Sequence, residues 1–140
     1  MALNHAFFAT WTPRAQALLR IVTAYLFLVH GTSKLLGIPH VAAFDNLRVF
    51  SLVGFAGILE LAGGILLLLG LFTRPVAFVL CGEMAFAYFI GHASNGNVLV
   101  PMLNRGELAV LYCFAFLYIA SRGAGIWSAD AARHHSAPRP

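Results

Sequence analysis

The sequence predicts an all-α integral membrane protein: a single four-helix bundle whose helices run up and down in antiparallel order. Composition indicates the class, because 60% of the 140 residues are hydrophobic and 10% are charged, whereas soluble domains have roughly 45–50% and about 25%. Length indicates the number of helices, since about 20 apolar residues cross the hydrocarbon and the chain has room for four such spans. We therefore expect one domain over residues 1–140.

Four apolar runs of spanning length follow one another along the chain. The predicted spans are residues 15–36, 51–71, 74–93 and 106–121. Between the second and third spans, Gly70 suits a helix C-terminus and Pro75 suits the first turn of the next helix, so these two helices are predicted antiparallel neighbours. The string SNGNVLVPMLNR separates the third and fourth spans, because Asn, Gly and Pro end helices.

Two segments connect or follow these spans. Residues 37–50 place apolar side chains at helical spacing against polar ones, which predicts a short amphipathic segment on the membrane surface between the first two helices. Residues 122–140 form a polar, basic tail. No A-x-A cleavage pattern follows the first apolar run, so we expect a retained helix and not a signal peptide.

The distribution of basic residues predicts an orientation. One side of the predicted bundle carries Arg14, Arg20, Arg74, Arg122, Arg133 and Arg139, and the other carries Lys34, Arg48 and Arg105. The positive-inside rule then predicts a multi-pass protein of the cell inner (plasma) membrane with both termini in the cytoplasm. The net charge of +4 is explained by this topology and by contact with anionic membrane lipid, and we expect no nucleic-acid partner.

Several strings, taken in order, resemble the DoxX family of small four-helix membrane proteins. They are Arg20 with His30-Gly31-x-x-Lys34-Leu35, then Glu60-Leu61-x-Gly63-Gly64 before LLLLGLFTRP, then Asn104-Arg105-Gly106-Glu107, and last Gly123-x-Gly125-x-Trp127-Ser128-x-Asp130. The resemblance covers about residues 15–130. It implies four helices and an association with membrane redox chemistry, because members resemble the small subunit of an archaeal thiosulfate:quinone oxidoreductase. Family resemblance supports a fold better than an activity.

Ionisable side chains inside the spans are the candidate functional residues. A charge at a helix centre in the bilayer costs about 2.5–3.5 kcal/mol, so such groups find partners or mark functional pathways. Depths counted at about 1.5 Å per residue predict two polar layers. The outer layer contains His30, Lys34, His92, Asn104 and Glu107, and the middle layer contains Glu60 and Glu83, with Arg20 on the cytoplasmic side.

Helical phase places Glu83 below Glu60 among these candidates. Glu83 and His92 are nine residues apart, so at 100° per residue they point to opposite faces of a regular helix. Only a bend in the helix would bring both side chains to one narrow cavity.

The leading hypothesis is a membrane redox-associated subunit that binds a quinone-like, lipid-soluble ligand within the bundle and is not active alone. The catalytic candidates are His30 and Glu60, which would exchange protons. The ligand-binding candidates are Arg20, Lys34, Glu60, Glu107, His92 and Asn104. The ligand itself is the one expected cofactor. The expected partners are membrane lipid and either a redox protein or further copies of the chain.

Two other interpretations stay open. Ion pairs Lys34–Glu107 and Arg20–Glu60 would fix the register of the helices in a non-enzymatic scaffold or assembly subunit of a membrane oxidoreductase complex. The sequence has no flavin, nucleotide, haem or iron–sulfur motif, which favours this interpretation. A small transporter is the less favoured interpretation, because four short helices would need an oligomer to enclose a wide path.

Cysteine and metal chemistry receive less support. Cys81 and Cys113 are predicted at similar depths, but no C-x-x-C motif is present and buried cysteine more often behaves as a small hydrophobe. The set His30, His92 and Glu107 is chemically suited to zinc, iron or copper. It lacks the close ligand spacing of known metal motifs, so no metal site is predicted.

Overall fold

The computed structural model describes the backbone of residues 2–136 and the side chains of residues 5–94 and 96–133. The helices are α1 (Ala2–Leu36), α2 (Leu52–Leu69), α3 (Thr73–Ala87), α4 (Glu107–Arg122) and α5 (Ala129–Ser136). After α3 the chain continues through a π-helical turn and a 3-10 turn, Tyr88–His92 and Ala93–Asn95. Residues 2–136 contain no β-strand. The prediction of an all-α chain is confirmed.

Three helical segments are long and apolar enough to cross a membrane. They are His5–Leu36, Leu52–Leu69 and Thr73–His92. Helix α4 has 16 residues, which at ~1.5 Å per residue extend about 24 Å, less than the ~30 Å of a typical hydrocarbon core. The structure therefore supports three of the four predicted spans by length and composition, and the fourth is a shorter apolar helix.

The helices pack as two close pairs. Helix α1 lies along α2 and α3 lies along α4, whereas the contact between α2 and α3 is much smaller. Glycines bring α1 and α2 together: a methyl group at Gly31 would lie 2.5 Å from the Leu61 nitrogen, and one at Gly64 would lie 3.0 Å from the Leu28 Cα atom. Small residues of this kind allow close approach of helices in lipid. Helices α2 and α3 touch over a shorter length, with a close contact at Gly63, where a methyl group would lie 2.8 Å from the Leu80 side chain. The cavity described below lies beside this junction.

Aromatic rings join the two pairs at the centre of the bundle. Phe27 of α1 lies edge-on against Tyr112 and Phe116 of α4, with ring centroids 5.2 and 4.8 Å apart. The Phe27 and Phe116 side chains are fully buried, together with Leu80 of α3. This apolar cluster separates the polar groups at the two ends of the bundle.

Three segments differ from the sequence prediction. Helix α1 begins at Ala2 and not near residue 15, because hydropathy marks the apolar part of a helix and not the start of its hydrogen bonding. Residues 37–50 contain one short 3-10 turn, Ala42–Phe44, since Gly37 ends α1 in the left-handed conformation with φ 66°. The predicted polar tail contains α5, whose first turn is capped by the Ser128 hydroxyl accepting the Ala131 N–H at 3.1 Å.

Candidate functional site

Arg20 is fully buried in α1 and donates its hydrogen bonds to backbone carbonyls. Nη1 donates to the Leu67 and Leu68 carbonyls at the end of α2, at 2.6 and 2.9 Å. Nε and Nη2 donate to the Ala124 and Trp127 carbonyls beyond α4, both at 2.8 Å. A cation at a helix C-terminus is favoured by the unsatisfied carbonyls and the helix dipole. The guanidinium therefore ties the end of α2 and the segment after α4 to α1.

The predicted ion pair between Arg20 and Glu60 is wrong. Four of the five N–H groups of a guanidinium are used by the carbonyls named above. Those of Leu67 and Leu68 lie about two helical turns beyond Glu60 along α2. We call Arg20 and its four carbonyl partners the arginine clamp. Its geometry is that of a structural tie, and Arg20 does not line the cavity that holds the other candidate residues.

Asp130 closes the same end of the bundle. Its carboxylate accepts the Phe72 N–H at 3.0 Å and the Thr73 N–H at 2.9 Å, which caps the start of α3. Desolvation raises the pKa of Asp130, but the hydrogen bonds from Thr73 and Phe72 and the charge of Arg133 lower it more. The pKa of this carboxyl is therefore below its ordinary value, and Asp130 is the charged cap of α3.

Lys34 and Glu60 form an ion pair in the interior of the bundle. Lys34 Nζ lies 2.5 Å from Glu60 Oε1, and the two side chains are 13% and 4% exposed. The predicted pair Lys34–Glu107 is wrong, because Glu107 is exposed at the start of α4 and lies in a separate surface depression beside Arg105. The close packing of α1 on α2 places Glu60, and not Glu107, opposite Lys34.

Three buried carboxyl oxygens near this pair have no hydrogen-bond partner among the described residues. They are Oε2 of Glu60 and both oxygens of Glu83. Glu83 interacts electrostatically with Glu60 and with Lys34, so the three side chains form one polar group. A buried polar atom without a partner is costly and points to a missing donor or to a functional role. We call Lys34, Glu60 and Glu83 the carboxyl cluster.

A cavity of about 600 Å³ lies between α2 and α3 beside the carboxyl cluster. Its volume is within the ~300–1,000 Å³ of typical small-molecule sites. Lys34, Glu83 and His92 are its charged or titratable lining residues. The walls are otherwise apolar and include Val53, Phe55, Leu59, Val79, Phe86 and Ile90. An apolar cavity with a few convergent polar groups is the usual form of a ligand site.

The π-helical turn explains why Glu83 and His92 line the same cavity. Regular helical phase predicted opposite faces, but residues Tyr88–His92 follow α3 as a π turn, and its i→i+5 bonding places an additional residue in the turn. The helix therefore has the irregularity that the sequence argument required for the two side chains to meet. Glu83 lines the cavity, whereas Glu60 is not among its lining residues.

His92 is oriented by the loop that precedes α4. Its Nδ1 lies 3.1 Å from the Asn104 carbonyl, and since a carbonyl only accepts, Nδ1 carries the hydrogen. In the neutral ring Nε2 is then the acceptor. The Asn104 side chain holds this loop, because it accepts the Gly106 N–H at 2.8 Å and donates to the Tyr88 hydroxyl at 3.2 Å. Asn104 thus positions His92 from outside the cavity.

His30 is not among the residues that line the cavity, although it interacts electrostatically with Lys34. Its half-buried ring packs at 90° against Tyr112 of α4, with centroids 6.1 Å apart. The four-residue spacing that suggested a shared site with Lys34 puts His30 against α4, while Lys34 bonds with α2. Among the described residues, no group of three or more His, Cys, Asp or Glu side chains is arranged to hold a metal ion.

Comparison with known proteins identifies the family. The DoxX family model matches residues 15–93, a stretch that contains Arg20, the carboxyl cluster and His92. The chain belongs to the DoxX family.

Two relatives of this DoxX chain cover most of its length. An uncharacterized protein of Haemophilus influenzae is 48% identical over 122 residues, which are 86% of this chain and 91% of the relative. A protein of Bacillus subtilis named "Putative oxidoreductase CatD" is 28% identical over 115 residues, which are 81% of this chain and 82% of the relative. No solved structure is significantly similar to the chain. Membership of the DoxX family and the apolar helices make the chain a membrane protein.

Proposed function

We propose that this DoxX protein is a membrane redox-associated subunit that binds a quinone-like, lipid-soluble ligand in the cavity between α2 and α3. The observation that carries the proposal is the Glu83 carboxyl. Its buried oxygens have no hydrogen-bond partner among the described residues, and the residue lines an apolar cavity together with Lys34 and His92. A quinone head group offers two carbonyl oxygens that become hydroxyls on reduction. Such a ligand would supply the hydrogen bonds that Glu83 lacks, and its ring and tail would fit the apolar walls.

Each polar residue of the cavity has a distinct role in this proposal. The Lys34 ammonium stabilises negative charge that develops on a ligand oxygen, and Glu60 holds Lys34 in place through their 2.5 Å ion pair. Glu83 and Nε2 of His92 exchange protons with the ligand oxygens. Proton exchange therefore moves from the predicted pair His30 and Glu60 to Glu83 and His92, because these two side chains line the cavity.

The redox association is supported by a relative and limited by the motifs of the chain. The Bacillus subtilis relative is named an oxidoreductase, but the sequence contains no motif for flavin, nucleotide, haem or an iron–sulfur cluster. We therefore propose that electrons are exchanged with a partner redox protein or with another copy of the chain. In this proposal the chain acts as a subunit and not as an independent enzyme.

The proposed location is the cell inner membrane, with α4 as a fourth, short span and both termini in the cytoplasm. The arginine clamp supports this arrangement, because Arg20 joins α1 to the end of α2 and to the segment that follows α4. The arginines of that end, including Arg74 and Arg122, would then lie on the cytoplasmic side.

Quinone titration of purified protein tests the proposed site. Decylubiquinone is titrated into the wild type, Glu83→Gln and Glu107→Gln in detergent. Loss of a carboxyl–ligand interaction of about 1.4 kcal/mol weakens binding about tenfold, so we expect at least this change for Glu83→Gln. Glu107→Gln is the matched control, because it neutralises an exposed carboxyl outside the cavity, and its Kd should equal that of the wild type. Equal Kd values for all three proteins, or no saturable binding, would contradict the proposal.

A scaffold or assembly subunit is the second candidate function. The many large apolar side chains that are exposed on the helices, such as Phe55, Phe78 and Phe86, are available for packing against a partner protein in the membrane. Affinity purification from the native membrane distinguishes the two candidates. A redox protein that co-purifies equally with the wild type and Glu83→Gln, in the absence of quinone binding, would favour the scaffold.

A further inference from the structure

Cys81 of α3 and Cys113 of α4 lie side by side where these two helices pack together. Their Sγ atoms are 3.7 Å apart, and both are free thiols. They are the two cysteines of the chain. Disulfide formation would require the sulfurs to approach by about 1.7 Å, less than 1 Å for each side chain. The packing of α3 on α4 therefore holds the two thiols close enough for a small approach of the side chains to join them.

The position of the two thiols limits which oxidants can reach them. Cys81 is about 12 Å along α3 from its start, at ~1.5 Å per residue, inside the segment Thr73–His92 that is apolar enough to cross a membrane. Both side chains are partly accessible, and around them lies the apolar cluster that includes Leu80, Met84 and Phe116. Charged oxidants and soluble thiol proteins are excluded from this depth. A lipid-soluble oxidant reaches the sulfurs from the surrounding hydrocarbon.

We propose that Cys81 and Cys113 form a redox-active dithiol that a lipid-soluble quinone oxidises to a disulfide between α3 and α4. This site is separate from the cavity, because Cys81 contacts α4 whereas Glu83 lines the side of α3 that faces α2. The choice of a quinone as oxidant rests on the proposed function, while formation of the disulfide rests on the distance between the sulfurs.

The reaction balances with these three groups alone. Two S–H bonds break and one S–S bond forms between Cys81 and Cys113. The two electrons reduce the quinone, and the two protons complete the hydroxyl groups of the quinol. Each chain thus converts one quinone to one quinol and is left two hydrogens lighter.

Thiol counting after quinone treatment tests the proposal. Reduced protein in lipid nanodiscs is incubated without oxygen with decylubiquinone, denatured in SDS, labelled with a maleimide and weighed by intact mass spectrometry. We expect the wild type to lose both labels, to stay monomeric and to form one quinol per chain. The variants Cys81→Ser and Cys113→Ser should each keep their one remaining label, since neither can form the bond within one chain.

The same thiol-counting assay is repeated with two other oxidants. Diamide, a small general thiol oxidant, tests the geometry, and a lipid hydroperoxide tests the choice of oxidant. Wild type that keeps both labels in diamide, or that forms covalent dimers, would overturn the dithiol. Oxidation by diamide or by the hydroperoxide without oxidation by the quinone would overturn the quinone assignment.

Binding assays separate this proposal from the cavity proposal. Glu83→Gln should lose quinone affinity and keep quinone-dependent thiol oxidation. The double variant Cys81→Ser, Cys113→Ser should lose oxidation and keep both quinone affinity and the wild-type unfolding temperature. Thiols that stay reduced while quinone still binds at the cavity would overturn the dithiol alone.

Discussion

Arg20 and Lys34 are cations on the same helix, and the bundle surrounds them differently. Arg20 is completely buried and is bonded to four carbonyls at one end of the molecule. Lys34 is paired with one oxygen of Glu60, and beside it three carboxyl oxygens have no partner in the part of the chain that the structure describes. The arginine clamp is therefore satisfied by the protein itself, whereas the carboxyl cluster is incomplete and adjoins a cavity.

This difference indicates which charged residues of the bundle stabilise the fold and which are available to a ligand. A charge that the backbone satisfies has little capacity left for a ligand, and its removal leaves carbonyls without their donor. A carboxyl without a partner contributes little to the fold in its present state, and it offers a hydrogen-bonding site to a bound molecule. Removing Arg20 from the arginine clamp should therefore reduce stability more than ligand binding. Removing the unpartnered Glu83 carboxyl should reduce ligand binding more than stability.

The largest expected effect is at the arginine clamp. Arg20→Met should lower the free energy of unfolding by about 4 kcal/mol, because it removes a buried charged group that is fully engaged in hydrogen bonds. Thermal unfolding in detergent measures the change. Arg14→Met is the control, since Arg14 bonds locally to the Thr10 carbonyl and should change stability little. An Arg20→Met protein that is as stable as the wild type but no longer binds quinone would contradict the structural role assigned to Arg20.

The second effect lies within the carboxyl cluster. Glu60→Gln should destabilise the protein by about 3 kcal/mol, because it leaves the Lys34 ammonium without its paired charge. Glu83→Gln should change stability by less than about 0.5 kcal/mol, as a substitution that breaks no hydrogen bond usually does, and should reduce quinone binding. The same unfolding and titration experiments measure both. Equal destabilisation by the two variants would remove the distinction between a structural and a functional carboxyl.

Alanine substitutions at two glycines compare the close contact of α1 and α2 with the more open junction of α2 and α3. Gly31→Ala should cost about 2 kcal/mol, because its methyl group would meet the backbone of Leu61 and overpacking cannot be relieved there without moving α2. Gly82→Ala should be neutral or slightly stabilising, since no atom lies within 4 Å of the added carbon and alanine favours the helix. Unfolding temperatures in detergent measure the stability change of both variants. A destabilised Gly82→Ala variant would show that α2 and α3 close over the cavity.

The smallest expected effect is at the charged cap of α3. Asp130→Asn should cost about 1 kcal/mol at neutral pH, because the amide keeps one acceptor oxygen for two N–H groups and loses the negative charge that the start of α3 favours. Because the pKa of Asp130 is lowered in the folded state, its carboxylate stabilises the fold above the unfolded-state pKa of about 3.9. This contribution is lost as pH falls through the lower folded-state pKa. Unfolding temperatures of both proteins should therefore converge in acid, and a constant difference down to that range would contradict the assignment.

Local sequence patterns predicted the helices well and their partners poorly. The apolar runs identified α2 and the α3 region to within a few residues, because hydropathy acts along one segment. The partners of Lys34 and Arg20 were wrong, since depth along a helix does not say which neighbouring helix a side chain faces. The close contacts of Gly31 with α2 and of Gly64 with α1 set the packing in which Lys34 meets Glu60.

The place of Glu83 in the cavity lining did not follow from helical phase. The phase argument assumed a regular helix, and the sequence around Tyr88 carries no proline to signal a break. Gly91 and the Tyr88–Asn104 contact lie in the region of the π turn, but neither is specific enough to predict it. His30 does not line the cavity with Lys34, because four-residue spacing indicates neighbouring positions on α1 and not a shared cavity.

The sequence by itself determined the all-α membrane class, the resemblance to the DoxX family and the short list of intramembrane ionisable residues. These follow from composition and local periodicity, which a bilayer constrains strongly because every buried charge is costly. Only the tertiary structure decided which of these residues are satisfied and which are free to bind. That division depends on how α1 packs on α2, on the open junction of α2 and α3 and on one π-helical turn, which are properties of several segments together.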